Sequence, residues 1–370
     1  MDDFSVKAFL DVFNERNRID YIASCTSEWH LISAMTFLND LYEKKQRKLS
    51  GIIIICEHID NGYIIRESLL NLPSKFGAYI YKRDKGARVD YNIKKPLFIQ
   101  KDELYIMSVQ KPWLKMSLEC KKIFRCKIFN VIIDEGAGAY GSIFARMLAN
   151  YQEWKSIIKV SREFFLEIST YFNLWMLRIP AKKYLLLNKK RGRYIPNQLV
   201  VKHFKKIVKE LPKEKIMFQP VRPYALLLVQ PLAEQGCMNV DAVLQCFFSL
   251  KEKCETRGIT LYVKQHPRFP NKEYARKGFQ IVEEQVSIEN LLISIPNKPE
   301  FVCGFTTTAL ITTSLLFGIK SYSLSRLILE NRDIGNHYFR NMLEKYDRKF
   351  KMIAPEFSYD CLNCYGEKSC

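Results

Sequence analysis

Apolar runs of strand length recur along this chain and alternate with longer amphipathic stretches, a pattern that selects βα units built around a mostly parallel sheet. In the first half the candidate strands are 20–24, 51–56, 78–81, 103–109, 130–133 and 184–187, and a helix at the 3.6-residue period fits 28–43 between the first two. A second series follows at 224–230, 260–265, 278–282, 300–304 and 320–324, with a helix over 241–257. A chain of 370 residues exceeds the size at which one core stops growing, so two domains are expected, and 48% hydrophobic residues is ample for two cores. The expected fold class is therefore α/β, with two Rossmann-like lobes. The boundaries are 1–195 for an N-terminal Rossmann-like lobe, 196–223 for a linker containing a helix at 198–210, 224–335 for a C-terminal Rossmann-like lobe, and 336–370 for a last helix and tail. That last helical stretch, 336–351, is a candidate to cross back to the first lobe.

Charge and cysteine usage narrow the setting. The 11 cysteines lack the even, regular spacing of a secreted disulfide framework, which favours a reducing cytosol. Cys361, Cys364 and Cys370 suggest zinc only superficially, because a structural site needs four ligands and no neighbouring residue completes it, so no metal is expected. The acidic opening Met1-Asp2-Asp3, with no apolar run behind it, does not read as a signal peptide. No stretch has the length and apolarity of a membrane span; the closest, 164–179, carries Glu167 and Arg178 and reads as a buried or interfacial helix.

The formal net charge of +19 asks for a partner, and basic residues crowd between Lys182 and Lys215. Nucleic acid, an anionic membrane face and anionic substrates compete for that role. Nucleic acid is disfavoured, because neither a recognition motif nor aromatics interleaved for base stacking is evident. The preferred expectation is a cytoplasmic protein with a solvated basic face that also favours peripheral contact with the anionic inner leaflet of the plasma membrane.

Chemistry-bearing residues gather where strands end, which is where ligands bind in open α/β sheets. Asp134-Glu135-Gly136 follows the run Phe129-Asn130-Val131-Ile132-Ile133, and neighbouring side chains of an extended segment point oppositely, so one acid faces a cleft. His266-Pro267 follows 259–265, with Lys264 and Arg268 adding charge suited to a phosphate. Gly304-Phe305-Thr306-Thr307-Thr308 ends a strand and opens an apolar helix, where hydroxyls and unbonded N–H groups make an anion site. Gln230-Pro231 closes the first strand of the second lobe, and Cys25-Thr26-Ser27-Glu28-Trp29-His30 closes the first strand of the first.

Together these residues resemble the bacterial sialyltransferases that carry a D/E-D/E-G motif and an HP motif, the lipooligosaccharide sialyltransferases and capsular polysialyltransferases among them. The matching pieces are Asp134-Glu135-Gly136, His266-Pro267, Gln230-Pro231-Leu232, the hydroxyl pair Thr307-Thr308 and the opening segment at 25–31. The resemblance implies a GT-B fold of two facing Rossmann-like domains with a central cleft, a CMP-activated sialic acid donor, inversion at the anomeric carbon, a glycan acceptor, and no cofactor or obligatory metal. It casts Asp134 as general base, with Glu135 in reserve, and His266 as the group that binds or protonates the donor phosphate. Thr306, Thr307, Thr308, Gln230, Pro231, Lys264 and Pro267 then belong to the donor site, and Gly136, Thr26, Ser27 and His30 to the acceptor side. Two departures stand out: Ser27 where the family often has proline, and threonines in place of serines. A monophosphate leaving group also needs less cationic help than a diphosphate, which favours CMP over UDP. A Kdo or glycerophosphate transferase of surface-polymer synthesis is the alternative enzyme, and a noncatalytic basic scaffold at the membrane is the alternative of another class.

Overall fold

The computed structural model describes residues 18–56, 65–83, 102–109, 111–140, 156–230, 237–266, 272–330 and 335–365. The chain divides into two units, Met1–Leu186 with Gln198–Pro212, and Leu187–Asn197 with Lys213–Cys370.

In the first unit six strands, β1 (Tyr21–Cys25), β2 (Gly51–Cys56), β3 (Ala78–Arg83), β4 (Leu104–Ser108), β5 (Ile128–Ile133) and β6 (Ala181–Tyr184), form one parallel sheet in the order β3-β2-β1-β4-β5-β6. The order reverses between β1 and β4, which makes that pair the topological switch point of a Rossmann-like sheet. Its isoleucine-rich strands are buried on both faces, as parallel strands covered by crossover helices must be.

Helix α1 (Glu28–Lys45) starts at Ser27, whose extended backbone lets its Oγ accept from the His30 N–H at 3.3 Å. Every residue of it from Leu31 to Leu41 is buried, more than one face on a sheet would require. The second cover comes from a helix late in the sequence. After α2 (Glu67–Leu70), α3 (Leu114–Ile123) and α4 (Ile157–Met176), helix α5 (Gln198–Glu210) buries Val200, Val201, Phe204, Ile207 and Val208 in this same unit. Phe204 stacks on Trp29 of α1 at 5.0 Å between centroids, and Asn39 and His203 hydrogen-bond at 2.7 Å. The helix that sequence assigns to a linker is thus an integral layer of the first unit, because its apolar stripe needs a partner and α1 supplies one.

The second unit opens with a hairpin, β7 (Leu187–Lys190) and β8 (Arg193–Pro196), turned by Arg191 and Gly192 at φ of 47° and 78°, the left-handed pair that two-residue hairpins favour. The run expected as one strand at 184–187 is therefore the end of β6 and the start of β7. Its parallel sheet follows the order β11-β10-β9-β12-β13, built from β9 (Tyr224–Leu228), β10 (Thr260–Lys264), β11 (Gln280–Val282), β12 (Phe301–Gly304) and β13 (Lys320–Ser323).

Ala225 and Leu227 face one core, with Phe247 of α6 (Val240–Glu255), Val263 and Phe357; Leu226 and Leu228 face another, across which lie, beyond α7 (Glu273–Arg276), Leu291 and Leu292 of α8 (Ile288–Ser294) and Leu310 of α9 (Thr308–Phe317). After α10 (Ser325–Glu330), α11 (His337–Phe350), which sequence made a candidate to cross to the first lobe, belongs to the second unit. Its Phe339 and Leu343 are fully buried in the core of the second, and its Phe350 stacks on Tyr194 of β8 at 5.2 Å.

Gly51, at the start of β2, sits where a Cβ would overlap the Tyr21 carbonyl oxygen and ring. Gly51→Ala should cost about 3 kcal/mol, since neither backbone nor buried ring can give way cheaply. Urea unfolding checks this as a lowered midpoint at unchanged slope.

Candidate active site

The carboxyl edge of the first sheet is organised by Asp134, the first residue past β5. Its carboxylate is fully buried and accepts from the Gly136 N–H at 2.8 Å, the Leu186 N–H at 3.0 Å, the Trp29 indole Nε1–H at 3.4 Å and the Tyr140 hydroxyl. Its own carbonyl accepts from Ser33 Oγ at 2.7 Å. Burial raises its pKa above the ordinary carboxylate value, and the four donors oppose that rise. Sequence nominated Asp134 as the base that meets an acceptor hydroxyl. Here the carboxylate has no solvent-facing surface and its oxygens are engaged by the protein, whereas Glu135 is partly exposed. Glu135 is the less enclosed of the two, although one of its carboxylate oxygens is also shielded from solvent.

Thr26, Ser27 and His30 occupy the adjoining end of β1 and the first turn of α1. Thr26 Oγ1 lies 2.9 Å from His30 Nδ1, the Thr26 N–H donates to the same nitrogen at 3.3 Å, and Ser27 caps the helix. Glu28 pairs with Arg66 at 2.5 Å. The donors that hold Asp134 were not recognisable as such in the sequence: Tyr140 and Leu186 are 6 and 52 residues away, and Trp29 is 105 away. Only the short Gly136 turn has a local signal.

The second unit gathers its residues around its own switch point, between β9 and β12. Gln230 reaches across it, accepting from the Thr306 N–H at 3.0 Å and the Thr306 hydroxyl at 3.2 Å. The approach of the two strands depends on Gly304, where a Cβ would come within 2.9 Å of the Leu228 carbonyl oxygen. Thr307 caps α9, its Oγ1 accepting from the Ala309 N–H at 3.3 Å, and Thr308 is the first helical residue. The Tyr346 hydroxyl donates to the Thr307 carbonyl at 3.3 Å, a support from α11 without a sequence signal.

Lys264 ends β10 on the other side of β9, followed by the partly exposed His266. Pro231 and Pro267 lie outside the described residues. The edge thus offers threonine hydroxyls, a helix N-terminus, a buried ammonium and an imidazole, a set suited to an anion. Asp134 and His266 belong to different units.

Two further features bear on chemistry. Cys25, Cys120, Cys254 and Cys303 are buried, and burial pushes their thiols up, which makes them core residues rather than nucleophiles. On α5 the outward lysines Lys202, Lys205, Lys206 and Lys209 line an open concavity of about 390 Å³. Among the described residues no group of three or more His, Cys, Asp or Glu side chains is placed to hold a metal ion, and no helix is long and apolar enough to cross a membrane. Cys370 and the side chain of Cys364 lie outside the described residues.

The family model of the alpha-2,8-polysialyltransferases matches residues 21–326, from the first residue of β1 into α10. The chain belongs to the alpha-2,8-polysialyltransferase family. Membership implies a glycosyltransferase that transfers sialic acid to a glycan, with a nucleotide sugar and a glycan acceptor as substrates. The match spans both strand-end clusters of this polysialyltransferase-family protein. No match was found among curated proteins.

Burial pushes Lys264 down to about 8 from an ordinary 10.5, against the pull of Glu284 and Glu289. The unfolded chain therefore holds this proton more tightly than the folded one. Charged Lys264 lowers stability below pH about 8, and the penalty fades as pH rises from about 8 to 10.5. Lys264→Met should be more stable than the parent at pH 7, by up to about 3 kcal/mol, and should lose that advantage towards pH 10; chemical denaturation across this range measures it.

Proposed function

We propose that this protein is an inverting sialyltransferase that moves sialic acid from CMP-sialic acid onto a cell-surface glycan of the lipooligosaccharide or capsule kind, on the cytoplasmic side and without a metal or other cofactor. One observation carries the proposal: the family match runs through both strand-end clusters, the acids of the first unit and the Gln230–Thr306 bridge with its neighbouring cations in the second. The GT-B organisation expected from the motifs is part of the same proposal.

In this mechanism Glu135 takes the proton from the acceptor hydroxyl as its oxygen attacks the anomeric carbon from the face opposite the leaving group. The bond from that carbon to the phosphate oxygen breaks, and CMP departs with the electron pair. Asp134 acts as a positioning residue: its four donors fix the turn from which Glu135 projects. The charge growing on the phosphate is met by His266, the α9 N-terminus with Thr307 and Thr308, and Lys264 behind them. A phosphate monoester gains one negative charge as it leaves, within reach of an imidazolium and helix dipole, so a divalent ion is not required by the charge balance. The lysine row on α5 suits an acceptor that itself carries carboxylates, as a sialylated glycan does.

Incubation of the full-length protein with CMP-sialic acid, CMP-Kdo or CDP-glycerol, together with a sialylated oligosaccharide, separates the enzymatic alternatives. Nucleotide release and acceptor mass increments are expected with CMP-sialic acid alone and should persist in EDTA; turnover restricted to either other donor would overturn the assignment. Glu135→Gln and His266→Ala should each lower kcat at least about 100-fold with the fold intact, as loss of a general acid or base does. Asp134→Asn should lose activity and, in addition, about 1–3 kcal/mol of stability, because its amide turns one acceptor into a donor facing buried donors. Wild-type turnover by Glu135→Gln beside a stably folded, inactive Asp134→Asn would return the base role to Asp134.

A further inference from the structure

Helix α4 carries an apolar stripe that the proposed chemistry does not use. Val160, Glu167 and Leu174, spaced by seven residues, are its buried contacts with the first unit. Ile158, Phe165, Ile168, Phe172, Trp175 and Met176 point elsewhere and are exposed, Ile158 at 79% and Trp175 at 71%. At 3.6 residues per turn these six side chains fall within an arc of about 100° along a helix about 30 Å long. Phe172 and Trp175 touch within it, with ring centroids 6.0 Å apart. Exposed apolar patches rimmed by polar and charged side chains mark protein or membrane interaction sites.

The charge around the stripe selects its occupant. Lys159 and Arg162 on the helix and Arg178 just past it are all exposed. The helix's own acids do not offset them: Glu163 is paired with Lys111 at 3.1 Å and Glu167 is buried. A second copy of the chain docking here by two-fold symmetry would set this positive fringe against itself. An anionic lipid surface does the reverse, since its headgroups pair with the fringe while aromatic and aliphatic side chains enter the acyl boundary. We infer that α4 lies in the plane of an anionic membrane and holds the first unit against it by the stripe from Ile158 to Met176. The inference is independent of the sialyltransferase assignment and of the basic row on α5.

Co-sedimentation of the full-length protein with phosphatidylcholine vesicles, and with vesicles that also contain phosphatidylglycerol, tests it. The protein should partition onto the anionic vesicles and not onto the neutral ones. The double variant Phe165→Glu, Trp175→Glu should bind at least tenfold more weakly at unchanged circular dichroism and melting temperature. Met217→Glu, an equally exposed apolar site on the second unit at 85% exposure, should bind like the parent. Equal binding by the double variant, equal binding to neutral vesicles, or a parent dimer that the double variant dissociates without any vesicle affinity would each overturn the inference.

Discussion

A buried carboxyl group holds the carboxyl edge of the first unit's sheet together. Asp134 has no exposed surface, and donors from four places converge on it and oppose the rise that burial imposes on its pKa: the indole of α1, the amide of its own turn, the hydroxyl of Tyr140 and the amide of Leu186 where the chain leaves β6. The donors compensate the desolvation of the acid, and removing it would leave buried N–H and O–H groups without this partner. The reciprocal dependence fixes the start of α1, the turn after β5 and the exit from β6 as one piece. It also separates the two acids of the motif into different jobs, one locked inside and one left near the surface.

The two sheets solve the same topological problem with different chemistry. Each reverses strand order beside its first strand, and each places polar residues where that reversal opens a crevice. In the first unit the edge is acidic and its acids are governed by hydrogen bonds. The second collects cations and hydroxyls, and the Gln230–Thr306 bridge ties the two strands of the switch point just before α9 begins. Lys264 shows the cost of such a site: an ammonium held where desolvation favours the neutral form, with Glu284 and Glu289 only partly restoring its charge.

Excess positive charge is not spread evenly in its consequences. On α5 it lies opposite an apolar stripe that is spent on α1, so the lysines face outward as a row over a concavity. Around α4 it borders an apolar stripe whose side chains are exposed. The same residue type therefore serves a polar surface in one place and the fringe of a hydrophobic one in the other, according to what the neighbouring helix face is packed against.

Sequence by itself determined the elements and the edges where function collects. Uninterrupted apolar runs such as 51–56 and 224–228 are strands because only a doubly covered parallel sheet buries both faces, and the motif residues fall at their carboxyl ends because chain direction fixes those ends. The resemblance carried by Asp134-Glu135-Gly136, His266 and the threonines pointed to bacterial sialyltransferases, and the match over 21–326 assigns the alpha-2,8-polysialyltransferase family. What the tertiary structure alone decided is which groups share an environment. Helix 198–210 and helix 337–350 have amphipathic patterns that demand a partner without naming it, and packing chose α1 for the first and the second unit's core for the other. Likewise, no local pattern could tell that Asp134 would be fully enclosed by donors up to 105 residues away while Glu135 stayed partly exposed, because burial is a property of everything the chain brings to a point rather than of the residues beside it.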